Sequence, residues 1–412
     1  MIPKKKSNSS DPKDYRPISL TSNLAKISEK LMGLKLKEFL KMNKIIIKQQ
    51  SGFRECRQTK DNICFITQKT IEQFNRGKKV CAIFFDIASA FDKVWHNGLL
   101  YKLIKINTPS FIICWIKNFL ENRTFRIKTG DYISEANPIS AGVPQGAALS
   151  PILFSIFIND IPIWHKKNND YSLLFADDLI FMNCFKKNGN AQNHINKYLR
   201  MLEKWLATWR LIMAPHKCNY IIFSKFHGDE SSKLHLELFK TKLEINNSPT
   251  FLGIRFDKAL TFKNQIDYLQ DSCVNRLNFL KIVSKRSYGL SLKTLNQLYV
   301  TLIRSILEYS AILYPVVSNT SFKRLNIIQN KSIKIINRKS IYCSSNELIT
   351  EIEALNERFD HLNKKYLINS IKRENELICE LWNDFKGIIS NRQQNQKTIL
   401  CSYKEDLLIL LT

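Results

Sequence analysis

Acidic residues are scarce in this sequence. Its 412 residues include 36 Asp and Glu against 63 Lys and Arg, a formal net charge of +27. An excess of this size predicts a polyanionic partner. The excess is uneven, with 15 basic and 5 acidic residues in 1–60 and 12 basic and 2 acidic residues in 271–340. A generally lysine-rich, solvated surface is the alternative, but the second segment is too one-sided to favour it.

Clustered cysteines and long apolar runs are missing as well. The ten cysteines lie between Cys56 and Cys401 with no pair at CxxC or CxC spacing, which argues against a zinc site and is typical of a reducing compartment. No apolar run approaches the ~18 residues of a transmembrane helix. The basic N-terminus has no apolar segment after it, so no secretory signal is expected. Hydrophobic residues make up 44 % of the chain, enough for two or three packed units.

Two adjacent carboxylates, Asp177 and Asp178, interrupt the apolar run Tyr171–Asn183, YSLLFADDLIFMN. An ionised Asp is costly to bury unless it meets a cation or a full set of hydrogen bonds. The run predicts two short buried strands, with Ala176, Asp177 and Asp178 in a tight turn between them. This turn either holds hard cations or is an acidic turn on the surface.

A third carboxylate stands at the end of another apolar run. Residues 80–86, VCAIFFD, predict a buried strand that ends on Asp86. Adjacent strands lie about 5 Å apart, so pairing this strand with the hairpin would bring three carboxylates within reach of two metal ions. Mg²⁺ prefers oxygen ligands and takes part of its shell from substrate phosphates. Phosphoryl transfer needs such positioning and charge neutralisation.

Two polar loops each leave two interpretations open. Residues 49–63 combine a glycine with Arg54, Arg57 and Lys60, which suits phosphate but is also common in solvated loops. Residues 140–150, SAGVPQGAALS, are either a connector or a loop whose glycines bring the backbone close to a flat ligand.

Helical periodicity marks five further segments. Apolar residues recur at three- and four-residue intervals in 24–34, where Thr21 or Ser22 is the expected cap, and in 195–209, 262–280, 295–307 and 322–336. The last three predict helices with basic outer faces.

Seven motifs, in order, resemble the reverse transcriptases of non-LTR (LINE-type) retrotransposons, close to the jockey-like group. They are DYRPISL from Asp14, QSGFRECRQTKDNI, FFDIASAFDKVWH, GVPQGAALSPILF, FADD, the KC of APHKC, and FLGIRF. The resemblance covers residues 3–260, and the basic helices to about 340 are similar to the thumb of such enzymes. It favours the metal-binding interpretation of the three aspartates.

The resemblance implies an α+β fold of the right-hand polymerase type, with fingers, a palm of antiparallel sheet packed on helices, and an all-helical basic thumb. The expected organisation is a flexible lead-in at 1–13, fingers and palm at 14–258, the thumb at 259–340 and a C-terminal helical extension at 341–412. No chemistry is assigned to the extension.

The resemblance also implies roles for individual residues. Asp86, Asp177 and Asp178 would be the catalytic acids and hold two Mg²⁺ ions, with Mn²⁺ as a possible substitute, and the Ile87 carbonyl would assist. Phe91 would exclude a ribose 2′-hydroxyl, so that dNTPs are used.

Further residues are implied around the nucleotide. Gln145 and Gly146 would line the pocket, and Arg54 and, less securely, Arg16 would meet the triphosphate. Lys217 resembles a lysine that protonates pyrophosphate, although a surface lysine is the alternative. FLGIRF resembles the hairpin that grips the primer end.

The expected activity is RNA-directed DNA synthesis, with an RNA template, a DNA primer and dNTPs as partners and no membrane. Nucleus and cytoplasm are the locations expected from the family. Phe175 replaces the Tyr found in many reverse transcriptases. No endonuclease, ribonuclease H acid set or Cys/His knuckle is evident, so a truncated element or an excised polymerase segment is expected. The alternatives are a catalytically inactive nucleic-acid-binding relic and a relative of group II intron maturases.

Overall fold

The computed structural model describes residues 2–3, 15–164, 170–225, 233–285, 287, 289–340, 342–343, 352–390 and 398–411. The helices are α1 (Asn23–Met42), α2 (Thr59–Asn75), α3 (His96–Lys105), α4 (Ser110–Leu120), α5 (Ser150–Phe157), α6 (Asn188–Thr208), α7 (Lys263–Val283), α8 (Leu292–Tyr299), α9 (Ser305–Tyr309), α10 (Asn319–Ile336), α11 (Leu355–Lys372), α12 (Glu376–Ser390), α13 (Ile399–Ser402) and α14 (Lys404–Leu411).

The strands are β1 (Ile2–Pro3), β2 (Tyr15–Arg16), β3 (Lys79–Phe85), β4 (Thr124–Phe125), β5 (Lys128–Thr129), β6 (Tyr132–Ile133), β7 (Asn137–Pro138), β8 (Asp170–Phe175), β9 (Asp178–Phe185), β10 (Asn219–Phe223), β11 (Glu237–Leu238), β12 (Thr241–Lys242), β13 (Glu244–Ile245), β14 (Thr250–Phe251) and β15 (Ile254–Arg255).

A five-stranded sheet in the order β13-β10-β3-β9-β8 organises the region that holds the aspartates. Only β13 pairs in parallel with its neighbour; the other pairs are antiparallel. Helices cover both faces of the sheet, which confirms the predicted α+β fold with an antiparallel sheet packed on helices. The hairpin turn is one residue shorter than predicted, because Asp178 already belongs to β9 and only Ala176 and Asp177 lie between the strands.

Successive residues of β3 enter two different cores, as the two-residue period of a strand requires. Val80, Ala82 and Phe84 pack with α2 and the helices from α7 onward. Cys81 and Ile83 pack on the opposite face with residues of α1, α3, α5 and α6. The long apolar run at 80–85 therefore reflects burial on both sides.

Helix α2 lies between the sheet and the C-terminal helices and is buried from Asp61 to Phe74. Helices α12 and α13 pack against it. Residues 341–412 were expected to be helical, and helices α11 to α14 make up most of the described part of this segment. It is joined to the central region of the fold through α2.

Helix α1 begins where predicted, since Ser22 caps it by accepting a hydrogen bond from the Ala25 N–H at 3.2 Å. The helix does not bury the face that carries the predicted apolar pattern. The exposed fractions of those side chains range from 56 % at Ile27 to 80 % at Leu24. The buried residues of the helix are Glu29, Gly33, Leu36 and Leu40.

The predicted helices in 262–336 are present as α7 to α10, with a π-helical turn at Val300–Arg304 between α8 and α9. FLGIRF forms a two-stranded hairpin, β14 and β15, which is the kind of element that the resemblance implied. Most of the expected lead-in, residues 1–13, lies outside the described residues; Ile2 and Pro3 pair with Arg16 and Tyr15. None of the described helices is long and apolar enough to cross a membrane.

Candidate active site

Strand register places the three predicted catalytic aspartates at one end of the sheet. Phe85, the last residue of β3, pairs with Leu179 of β9. In an antiparallel pair the next residue on one strand faces the preceding residue on the other, so Asp86 faces Asp178. Asp177 completes the group from the turn between β8 and β9.

The three carboxylates influence one another electrostatically. Partial loss of water around the Asp178 carboxyl, together with the charges of Asp177 and Asp86, raises its pKa from 3.8 to about 6. Like charges gathered in this way favour protonation or a bound cation. Within the described residues, no group of three or more His, Cys, Asp or Glu side chains is placed to hold a metal ion. The aspartates are thus neighbours whose remaining ligands would have to come from elsewhere.

The backbone after β3 leaves one carbonyl beside the aspartates. Ile87 forms an antiparallel bridge with Met213. The hydrogen bonds of this bridge are made by the residues on either side of Ile87, with the Ala214 N–H donating to the Asp86 carbonyl at 3.2 Å and the Ala88 N–H to the Ile212 carbonyl at 2.9 Å. The Ile87 carbonyl takes no part in these two hydrogen bonds, which its predicted role in metal binding requires.

Lys217 lies at the same end of the sheet. Its Nζ atom is 3.5 Å from Oδ2 of Asp86, and the two side chains are 57 % and 45 % exposed. The short helix Pro215–Lys217, held by the Lys217 N–H to the Ala214 carbonyl, fixes this position. Lys217 is therefore accessible beside Asp86, and its role as a proton donor stays a prediction.

The Phe91 ring packs against two other aromatic rings. Its ring stacks on Phe154 of α5 with centroids 4.6 Å apart, and the ring of Phe53 meets it edge-on at 6.1 Å. The Val143 N–H donates to the Phe91 carbonyl at 2.9 Å. The ring is thus fixed on two sides, and Phe91 lies in a short 3₁₀ turn, Phe91–Lys93, that precedes α3.

The loop that carries Gln145 and Gly146 is tied to the same turn. Gln145 Nε2 donates to Asp92 Oδ1 at 2.9 Å, and the Gln145 carbonyl accepts from the Ser19 N–H at 2.8 Å. Gly142 has φ +93°, and a Cβ there would lie 2.8 Å from the Asp92 carbonyl oxygen. Glycine is therefore required where the loop crosses Asp92. Gly146 is exposed, and a Cβ there would lie 3.4 Å from the Ser19 carbonyl oxygen.

The predicted phosphate-binding arginine is engaged within the protein. Arg54 Nη1 donates to the carbonyls of Ile47 and Gln50 at 3.1 and 3.2 Å, and its Nη2 lies 3.1 Å from Oε2 of Glu376 in α12. Arg57 also pairs with Glu376, at 2.5 Å, and its side chain is buried. The loop thus presents these two arginines to helix α12. Arg16 is described only through its backbone in β2.

The hairpin β14–β15 is held from two directions. Leu252 and Gly253 at its turn have φ +47° and +77°, the signs of a type I′ turn. Tyr309 of α9 donates its hydroxyl hydrogen to the Leu252 carbonyl at 2.6 Å. Its oxygen also lies 3.3 Å from Oγ1 of Thr59 at the start of α2.

Sequence reasoning missed two residues of this region because both contacts depend on tertiary structure. Gln50 was assigned to a polar turn, yet its side chain is 1 % exposed and contacts Ala176. Phe53 was not considered, although its ring faces Phe91. The only local signal for the role of Gln50 is its position two residues before Gly52, and this signal is weak.

Comparison with known proteins agrees with the geometry. Residues 2–256 match the family described as reverse transcriptase (RNA-dependent DNA polymerase). The probable RNA-directed DNA polymerase from transposon BS of Drosophila melanogaster is 29 % identical over 342 residues, 82 % of this chain and 37 % of that protein. The RNA-directed DNA polymerase from mobile element jockey of the same species is 28 % identical over 377 residues, 89 % of this chain and 40 % of the relative.

Solved structures give a more distant likeness. A telomerase from Candida tropicalis, solved with a TWJ fragment of telomeric RNA, is 16 % identical with a TM-score of 0.42, covering 87 % of this chain and 56 % of the other. The chain spans about two fifths of the length of the curated relatives described above. These are polymerases of non-LTR retrotransposons, as the motifs indicated. The chain belongs to the reverse transcriptase (RNA-dependent DNA polymerase) family.

Proposed function

We propose that this chain is an RNA-directed DNA polymerase that adds dNTPs to the 3′-hydroxyl of a DNA primer on an RNA template. The observation that carries the proposal is the β3–β9 register, which brings Asp86 opposite Asp178 with Asp177 at the adjacent turn. The motif order and the family match support the same activity.

Reverse transcriptases generally use divalent metal ions, and the residues here fit such ions. All three side chains offer carboxylate oxygens, the ligands Mg²⁺ prefers. Partial burial and the charges of Asp177 and Asp86 raise the pKa of Asp178, so a bound cation would stabilise its ionised form. We propose two Mg²⁺ ions, replaceable by Mn²⁺, held by Asp86, Asp177 and Asp178 with the Ile87 carbonyl. When bound, they would activate the 3′-hydroxyl and stabilise charge on the leaving pyrophosphate.

The other residues around the aspartates would position the nucleotide. The Phe91 ring, fixed against Phe154, would fill the space of a ribose 2′-hydroxyl. Gln145 and Gly146 would line the base and template side. Lys217, accessible beside Asp86, would donate a proton to pyrophosphate. Arg54 can meet a triphosphate only after Glu376 releases it, and the roles of Arg54 and Arg16 remain predictions.

We propose that residues 14–258 form the fingers and palm and 259–340 the thumb. The 12 basic and 2 acidic residues of 271–340 would hold the RNA–DNA duplex by its phosphates, so binding should weaken as salt rises.

Primer extension tests the proposed activity. The intact chain would be given Mg²⁺, an oligo(dT) primer and dTTP on poly(A) or poly(dA), with primer alone as the blank. Extension on poly(A) that exceeds extension on poly(dA) and needs Mg²⁺ is expected. Duplex binding without any extension would contradict the proposal and favour the inactive relic.

A further inference from the structure

The turn that carries Asp177 contains a backbone conformation that its sequence does not favour. Ala176 has φ +56°, the sign required at the first central position of a type II′ hairpin turn. Glycine adopts this conformation freely, whereas a residue with a Cβ atom adopts it at a cost of about 1–2 kcal/mol. Such a conformation persists only where the surroundings hold it.

One side chain holds Ala176 through both of its backbone polar groups. Oε1 of Gln50 accepts a hydrogen bond from the Ala176 N–H (2.9 Å), and Nε2 of Gln50 donates one to the Ala176 carbonyl (3.2 Å). Oε1 also accepts the Gly52 N–H at 2.7 Å. Gln50 is buried, so water does not compete for these bonds and their loss would leave buried groups unpaired.

The segment around Gln50 is itself fixed to the hairpin. The Ser51 N–H donates to the Leu174 carbonyl at 2.9 Å and the Leu174 N–H to the Gln49 carbonyl at 3.0 Å, which adds a parallel bridge to the outer edge of β8. A Cβ on Gly52 would collide with the Ala176 backbone nitrogen. Gly52 is therefore required for this close approach.

The other side of the segment is anchored to the C-terminal helices. Arg54 donates to the Gln50 carbonyl and pairs with Glu376 of α12. The segment that carries Gln50 is thus fixed to β8 on one side and to α12 on the other. This restricts how far the Ala176 turn can relax.

We propose that Gln50 is a positioning residue for the catalytic metal site: it fixes the Ala176 turn and thereby the placement of Asp177 and Asp178 relative to Asp86. The expected effect on catalysis rests on the proposed polymerase activity. The expected effect on metal binding rests only on the three aspartates. Partners that orient metal ligands typically contribute 10- to 100-fold to metal affinity or activity.

The test compares Gln50→Met with Asn62→Leu. Asn62 is a matched control because it is also buried and its amide donates to the same hairpin, at the Leu174 carbonyl (3.1 Å). Mn²⁺ affinity would be measured by electron paramagnetic resonance on the protein without nucleic acid. Rates and KM for dTTP would be measured on poly(A)–oligo(dT), at a temperature where circular dichroism shows all variants folded.

Gln50→Met should weaken Mn²⁺ binding and lower kcat by about 10- to 100-fold, leaving KM for dTTP within about threefold. Asn62→Leu should leave Mn²⁺ affinity unchanged. Adding Ala176→Gly to Gln50→Met should restore part of the Mn²⁺ affinity, because glycine adopts the turn conformation without the strain.

Unchanged Mn²⁺ affinity in Gln50→Met, equal losses in the two single variants, or an absence of Mn²⁺ binding by the unaltered chain would overturn the role of Gln50. The polymerase proposal fails separately, if the unaltered chain binds Mn²⁺ in an Asp177-dependent way but incorporates no nucleotide. In that case the Mn²⁺ affinities alone decide the role of Gln50.

Discussion

Asp86 and Asp178 face each other across the β3–β9 pair, one residue beyond the Phe85–Leu179 pairing. Asp86 directly follows β3 and Asp178 begins β9, and the two strands are buried except at Lys79 and Asp178. The rigid sheet thus sets the separation of the two carboxylates, and the turn adds Asp177.

Phe91→Ala should relax selection against ribonucleotides. The ring is held between Phe154 and Phe53, so its removal opens space that a 2′-hydroxyl can occupy. We expect the ratio of kcat/KM for dTTP to that for UTP to fall about 10- to 200-fold, the range for steric discrimination in a pocket. Phe53→Ala, which removes only the edge-on neighbour, should give a smaller fall. An unchanged ratio in Phe91→Ala would remove this residue from nucleotide selection.

Lys217→Gln should slow nucleotide addition without unfolding the protein. Its ion pair with Asp86 is exposed, so the free energy of unfolding should change by less than about 1 kcal/mol. As a general acid it would contribute about 10²- to 10⁴-fold to the chemical step, measured by single-turnover incorporation. Lys240, another exposed lysine, is the control, and Lys240→Gln should have the activity of the unaltered chain. Equal rates in both variants would contradict the assignment.

Asp178→Asn should stabilise the protein when divalent metal is removed. The pKa of Asp178 is raised to about 6 in the fold, so between about pH 4 and pH 6 the folded state binds more protons than the unfolded state. The contribution of Asp178 to the free energy of unfolding therefore falls as pH rises through this window. Because the side chain is more than a third exposed, solvent screening limits the gain from Asn to at most about 1 kcal/mol.

Thermal unfolding in EDTA measures this effect. The melting temperature of Asp178→Asn minus that of the unaltered chain should grow from about pH 4 to about pH 6. Added Mg²⁺ should raise the melting temperature of the unaltered chain more than that of the variant. Asp131→Asn, at an exposed loop position, should show neither trend. A lower melting temperature for Asp178→Asn in EDTA at pH 7 would contradict the electrostatic account.

Tyr366→Phe should destabilise the protein through α2. The Tyr366 hydroxyl donates to Oδ1 of the buried Asp61 at 2.6 Å, and burial already raises the pKa of Asp61. Removing the hydroxyl leaves a buried carboxylate short of a donor, at a cost of about 1–3 kcal/mol, which urea unfolding would detect. Tyr342→Phe, at a side chain 91 % exposed, is the control. Equal stability of both variants would show that α11 does not support α2.

Local patterns predicted the elements that carry the aspartates. Two apolar runs, one interrupted by carboxylates and one ending on a carboxylate, are each visible in a short window of sequence. The core stripe of α6 was predicted for the same reason: Ile195, Tyr198 and Leu202 recur at helical intervals and are buried. The residue roles came from motif order, since spacing alone left two interpretations of the hairpin open.

Contacts between distant segments were beyond local patterns. Gln50 meets Ala176 across 126 positions, and Arg54 meets Glu376 across 322, so no window of sequence contains both partners. The periodicity of α1 predicted a helix but not its buried side, because burial depends on which surface a helix meets. The apolar residues Leu24 and Ile27 are consequently exposed, whereas Glu29 is buried and accepts the Ala148 N–H at 2.8 Å.

We expect Asp177, together with Asp86 and Asp178, to carry out metal-dependent nucleotide addition. The most direct measurement is Mg²⁺-dependent dTTP incorporation on poly(A)–oligo(dT) by the unaltered chain, Asp177→Asn and the control Asp131→Asn, with duplex affinity measured in parallel. We predict that Asp177→Asn loses at least about a thousandfold in rate, about 4 kcal/mol of transition-state stabilisation, and keeps its duplex affinity, while Asp131→Asn is unaffected. Incorporation by Asp177→Asn at the rate of the unaltered chain would contradict the account.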